Sequence, residues 1–114
     1  MDPVEELLTE LNKGTHNQDP NWLSDTAIKL SSLLYYHNTE TARAELDENK
    51  AAVNILDASL ISEKKISATE AEKRALVETN NEYGKLKLQG VAIVEAIQSI
   101  KKKVDFLINE LKNG

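Results

Sequence analysis

Apolar positions along this chain recur at steps of three and four, the spacing that gathers side chains on one side of an α-helix. Val4, Leu7, Leu8 and Leu11 form the first set, preceded by Asp2-Pro3 and closed by Gly14. An aspartate side chain can accept from the free amides of a first helical turn. Proline's fixed φ suits the position after the cap, and glycine accommodates the reversal past a helix end. The pattern predicts a short helix A over about residues 3–13. After a polar loop at residues 15–18 the signature returns as Asp19-Pro20, and Leu23, Ala27, Leu30 and Leu34 carry the stripe of helix B.

Neither proline nor glycine interrupts helix B, which is predicted over about residues 20–65. Its middle, residues 37–50, offers only Ala42, Ala44 and Leu46 for burial, and the stripe resumes at Ala52, Val53, Leu56 and Leu60. His37-Asn38 is therefore the place where helix B can bend or fray. Ser67-Ala68-Thr69-Glu70 reads as a capping box, with the serine hydroxyl placed for the Glu70 amide and the Glu70 carboxylate placed for the serine amide. Ile66 and Ala71 stand at the positions of a hydrophobic staple, and Lys64 and Lys65 put positive charge where a preceding helix would end. Together these predict a tight turn at residues 65–67. The rival is one helix from Pro20 to Leu111, because the turn contains no glycine.

Helix C, predicted over about residues 68–112, carries the clearest period. Tyr83, Leu86, Gly90, Ile93, Ile97, Ile100, Val104, Leu107 and Leu111 alternate steps of three and four, as in a coiled-coil seam, and helix B folded back is the expected partner. Leu88, Val91, Val94, Phe106 and Ile108 lie outside that seam. Helices B and C would each run roughly 65 to 70 Å at about 1.5 Å per residue, so helix A is too short to cover this second set. A second copy or another protein is expected to meet it, with Trp22 as a further candidate for that surface. The alternative for Trp22 is to anchor helix A through Leu7, Leu8 and Leu11. The predicted fold is all-α, a single domain over residues 1–114: a short helix followed by a long antiparallel helical hairpin, forming a homo-oligomer.

Composition narrows the chemistry. With 114 residues the chain has length for one core, and its few aromatics, Trp22, Tyr35, Tyr36, Tyr83 and Phe106, leave that core aliphatic. There is no cysteine, hence neither a disulfide scaffold nor a thiolate metal site. No apolar run is long enough for a membrane span, and Met1-Asp2-Pro3 lacks the basic start of a signal peptide, so the cytoplasm is the expected address and no membrane partner is expected. His16 and His37 have no partner at metal-ligand spacing, and no phosphate-binding or nucleophile motif occurs. No catalytic residue, metal, cofactor or small-molecule substrate is assigned, and the chain is read as a non-enzyme.

A net charge of -5 opposes a surface that is basic throughout, but a local basic patch remains available. A turn centred near residue 67 would pair positions whose numbers sum to about 134, bringing Lys101, Lys102 and Lys103 past Tyr35 and Tyr36, with Arg43 nearby. Lysines attract phosphates and tyrosines offer stacking faces, a combination suited to single-stranded nucleic acid. The alternative is that one tyrosine packs inside the hairpin and the lysines solvate helix C.

The run Lys64-Lys65-Ile66-Ser67-Ala68-Thr69-Glu70-Ala71-Glu72, a following helix with Tyr83, and the close on Gln98-Ser99-Ile100-Lys101-Lys102-Lys103 resemble small helical-hairpin proteins of tailed bacteriophages. Some of these are similar to recombination mediators, which help load a strand-exchange protein onto single-stranded DNA. The resemblance spans about residues 20–112 and rests on capping and packing signals. It implies a ring-like homo-oligomer in a host cytoplasm, DNA contact through Lys101, Lys102, Lys103 and Arg43, and a recombinase or single-strand-binding protein as partner. The alternative function is a protein-protein adaptor or inhibitor, such as a phage factor blocking a host enzyme or defence system. There the acidic faces of helices A and B would meet a basic partner.

Overall fold

The computed structural model describes residues 2–62 and 64–113, the side chain of Asn113 excepted. These form four helices, α1 (Pro3–Asn12), α2 (Pro20–Ile61), α3 (Ala68–Glu78) and α4 (Glu82–Asn113), with no strand among the described residues. The N-terminal caps act as their residue types predict. Asp2 Oδ1 accepts from the Val4 amide at 2.8 Å, and Asp19 Oδ1 accepts from the Trp22 amide at 3.0 Å. Gly14 closes α1 with a φ of 73°, a left-handed conformation in which a side chain would be strained, and its amide donates to the Leu11 carbonyl.

α2 carries through His37-Asn38 without interruption. The polar stretch there includes Glu40, Ala42, Arg43, Ala44, Glu45, Glu48 and Lys50, residue types that hold a helix without needing burial. It ends at Ile61, short of the expected residue 65, and the described residues 64–67 are non-helical, so Lys64 and Lys65 lie in the connection; Glu63 is outside the described residues. Two serines mark this end. The Ser59 hydroxyl donates to the Leu56 carbonyl at 2.7 Å and the Ser62 hydroxyl to the Ser59 carbonyl at 3.4 Å, the second a side-chain donor to a carbonyl of the last turn. The rival reading of one helix from Pro20 to Leu111 is thereby excluded. Ser67 caps α3 as expected, its Oγ accepting from the Glu70 amide at 3.1 Å, while the Glu70 carboxylate accepts from Arg74 Nε at 3.3 Å.

The main departure lies in helix C, which is two helices. After α3 the chain passes through Asn80 and Asn81, at φ 56° and 52°. The Asn81 amide donates to the Leu76 carbonyl at 2.7 Å and the Asn80 amide to the Val77 carbonyl at 3.1 Å, the paired bonds of a Schellman termination. Asparagine tolerates the left-handed region better than other residues with a Cβ, so the pair takes the part glycine usually plays. The Asn81 side chain then folds over the start of α4, where a Cβ at position 84 would come within 2.5 Å of its Oδ1, so a larger residue than Gly84 would oblige that side chain to shift.

The chain divides into two compact units, one of Met1–His37 with Gln89–Gly114 and one of Asn38–Leu88. In the first, α1, the first part of α2 and most of α4 enclose Leu23, Leu30, Ile93 and Ile100 completely, with Val4, Leu11 and Leu107 beside them. Full burial of each large aliphatic side chain contributes about 1.5–3 kcal/mol, so this cluster is the main source of stability in that unit. The α4 seam faces it through Ile93, Ile97, Ile100, Val104 and Leu107, whereas Leu111 is exposed. Thr26 is buried there too, its hydroxyl donating to the Trp22 carbonyl at 2.8 Å. Among the described residues of the second unit, the buried side chains are small: Ala44, Ala71, Ala75 and Ser59. Of the three residues expected to serve the middle of α2, only Ala44 is buried; Ala42 and Leu46 are exposed. No helix among the described residues is long and apolar enough to cross a membrane.

Candidate nucleic-acid interface

Lys101, Lys102 and Lys103 follow Ile100, whose side chain is fixed in the core, so the three cations leave α4 at successive angles of about 100°. Lys101 and Lys102 are exposed; Lys103 is half-buried and its Nζ donates to Asn17 Oδ1 at 3.2 Å. Lys102 and Lys103 line a shallow hollow of about 270 Å³ with Asn17, Gln18, Phe106 and Leu107. Phe106 stands one turn beyond Lys102 with 60% of its surface exposed. The hollow thus joins two ammonium groups, the amides of a loop and an aromatic ring.

The tyrosines are elsewhere. In the same unit the His37 ring lies 3.5 Å from where a Cβ on Gly90 would stand, whereas a register centred on residue 67 would have set His37 against Ile97. The register in this unit is therefore about seven residues away from the one on which the meeting of Lys101, Lys102 and Lys103 with Tyr35 and Tyr36 is counted. That register is counted along one continuous helix C, whereas α3 and α4 are separate helices. Tyr35 and Tyr36 are exposed and pack edge to face, with ring centres 5.6 Å apart. Arg43 belongs to the other unit, where it lines a hollow of about 390 Å³ otherwise dominated by Glu40, Asp47, Glu78 and Glu82. Lys102 and Lys103 thus share a hollow that neither Tyr35 nor Tyr36 lines, and Arg43 belongs to the other unit.

Asn17, Gln18 and Phe106 were not singled out beside the lysines. Phe106 could have been, since it follows Lys102 and Lys103 by four and three residues on one helix. The loop amides could not, because their neighbourhood depends on the register.

Both histidines have structural surroundings. His16 stacks on Trp22 with ring centres 4.2 Å apart and an interplanar angle of 16°, and its Nε2 lies 3.1 Å from Glu10 Oε1. Trp22 is half-buried against the first unit's core beside Leu7, Leu8 and Leu11. Glu10 is held below the ordinary carboxylate range, first by the hydrogen bond from Lys13, then by that from His16 and by the charge of Lys13. Leu88, Val91, Val94, Phe106 and Ile108 all remain exposed on α4. Among the described residues no group of three or more His, Cys, Asp or Glu is placed to hold a metal ion. No protein-family model, curated protein or solved structure matches the chain.

Proposed function

We propose that this chain is a non-enzymatic, homo-oligomeric accessory protein of phage-type DNA replication or recombination. In this reading Lys101, Lys102 and Lys103 attract the phosphates of a single strand and Phe106 offers a face on which one base stacks. The observation that carries it is the hollow shared by Lys102, Lys103, Phe106, Asn17 and Gln18, which supplies cationic, aromatic and amide groups together. The antiparallel helical hairpin belongs to the same proposal. It is supported within the first unit by two contacts that run in opposite senses along the chain, His37 beside Gly90 and Asn17 beside Lys103. The part given to each histidine, in ring stacking or helix contact, favours a binding role over acid–base chemistry. A recombinase or single-strand-binding protein is the partner this role requires.

The acidic hollow around Glu40, Asp47, Glu78 and Glu82 favours a second reading, an adaptor or inhibitor that meets a basic protein without touching nucleic acid. Fluorescence anisotropy with a labelled single-stranded oligonucleotide separates the two. The first reading expects binding that weakens as salt rises and a loss of at least about tenfold in Lys102→Glu, with helicity unchanged. An oligonucleotide that stays free at low salt removes the first reading and leaves the second.

A further inference from the structure

The second part of α2 has two sides with opposite fates. Ala44, Glu48, Ile55 and Ser59 lie on the side that the rest of its unit covers. Half a turn away, Leu46, Val53 and Leu60 recur every seven residues and are 52%, 56% and 59% exposed. Seven residues fall about 20° short of two whole turns, so the three share one stripe along α2. Lys50 and Asp57, both exposed, complete it, giving the order Leu46, Lys50, Val53, Asp57, Leu60 at steps of four and three. Three large aliphatic side chains in a row on a solvated helix are unlike scattered surface apolar residues and mark a contact surface.

We infer that this stripe is where two copies of the chain meet, antiparallel, about a twofold axis near Val53. The stripe reads nearly the same in both directions except that its charges change sign. Turned end for end, Leu46 of each copy faces Leu60 of the other, Val53 faces Val53, and Lys50 faces Asp57 twice. A parallel pair in register would instead set Lys50 against Lys50 and Asp57 against Asp57, which repel. A twofold interface requires a self-complementary surface, and this one has that property in its apolar positions and its charges together. A hollow of about 300 Å³ beside Val53, lined by Asn49, Lys50 and Asn54, lies at the axis where the partner's side chains would enter. Five side chains over four turns cover less than the roughly 1,200 Å² of a tight interface, so association belongs in the micromolar range.

This rests on the homo-oligomer of the proposed function and names the surface that would make it; nucleic-acid contact is measured separately. Sedimentation equilibrium of the full chain from about 1 µM to about 1 mM should report a monomer passing to a dimer. Val53→Asp should keep the helical content, since the site is exposed, and weaken the dimer at least about tenfold by placing two carboxylates at the axis. Lys50→Glu and Asp57→Lys should each weaken it, and the double variant should restore it. A monomer throughout the range overturns the inference and leaves the stripe to a different protein. So does a dimer indifferent to Val53→Asp, or single charge reversals that the double variant does not repair. Oligonucleotide binding that fails while the dimer forms counts against the nucleic-acid reading alone.

Discussion

The two units of this chain are both helical, yet they bury different things. The first encloses four large aliphatic side chains completely, Leu23, Leu30, Ile93 and Ile100. The second closes over Ala44, Ala71, Ala75 and Ser59. Apolar burial stabilises in proportion to the area removed from water, at about 0.8 kcal/mol per methylene, so a contact built from alanines holds far less than one built from leucine and isoleucine. Small side chains do let helices approach closely, and packing there is sensitive to added volume. The contrast shows how one chain can hold a firm element and a looser one without changing secondary structure: the identity of the buried side chains decides.

The largest effect should come from Ile100→Asp, which strands a carboxylate in the first unit's core. A loss of about 4 kcal/mol or more is expected, seen as collapse of the cooperative thermal transition by circular dichroism. A loss below about 1 kcal/mol would mean that the first unit is not the anchor. Next comes Ala75→Leu in the second unit, where overpacking should cost about 1–3 kcal/mol in denaturant melts. In the unaltered protein, hydrogen exchange should release the amides of residues 44–78 before those of residues 93–107, and the reverse order would break the comparison. The smallest effect concerns Glu10 in the first unit. Its folded-state carboxyl titrates below the ordinary value, so its contribution is complete above about pH 4.3 and is lost as pH falls through the depressed value. Because Glu10 is only half-buried and its partners are open to solvent, Glu10→Gln should flatten only a shallow acid slope in thermal midpoint, leaving the midpoint near neutral pH almost unmoved.

Caps and periods made much of the fold legible. Asp2, Asp19, Gly14 and Ser67 each mark a helix end that the structure contains, because a cap is decided by neighbours within four residues. The α4 seam was equally plain. The break at Asn80-Asn81 was not, for a definite reason. Ala75 and Ile93 are five whole turns apart at about 3.6 residues per turn, so the apolar phase continues as though no break existed. Only the two adjacent asparagines signal it. A register counted along one unbroken helix C therefore does not apply. Lys101, Lys102 and Lys103 were visible as a basic run, but the surroundings that make them a candidate site depend on long-range alignment that local spacing does not encode.

The buried hydroxyls of Thr26 and Ser59 are satisfied by carbonyls of their own helix, at Trp22 and Leu56. Neither makes a directional demand on whatever packs against it. A neighbour need only supply apolar shape, and one such shape can be exchanged for another without stranding a polar group. Interiors of this kind tolerate drift in sequence, so related chains can diverge widely at the packed positions while keeping the same helices.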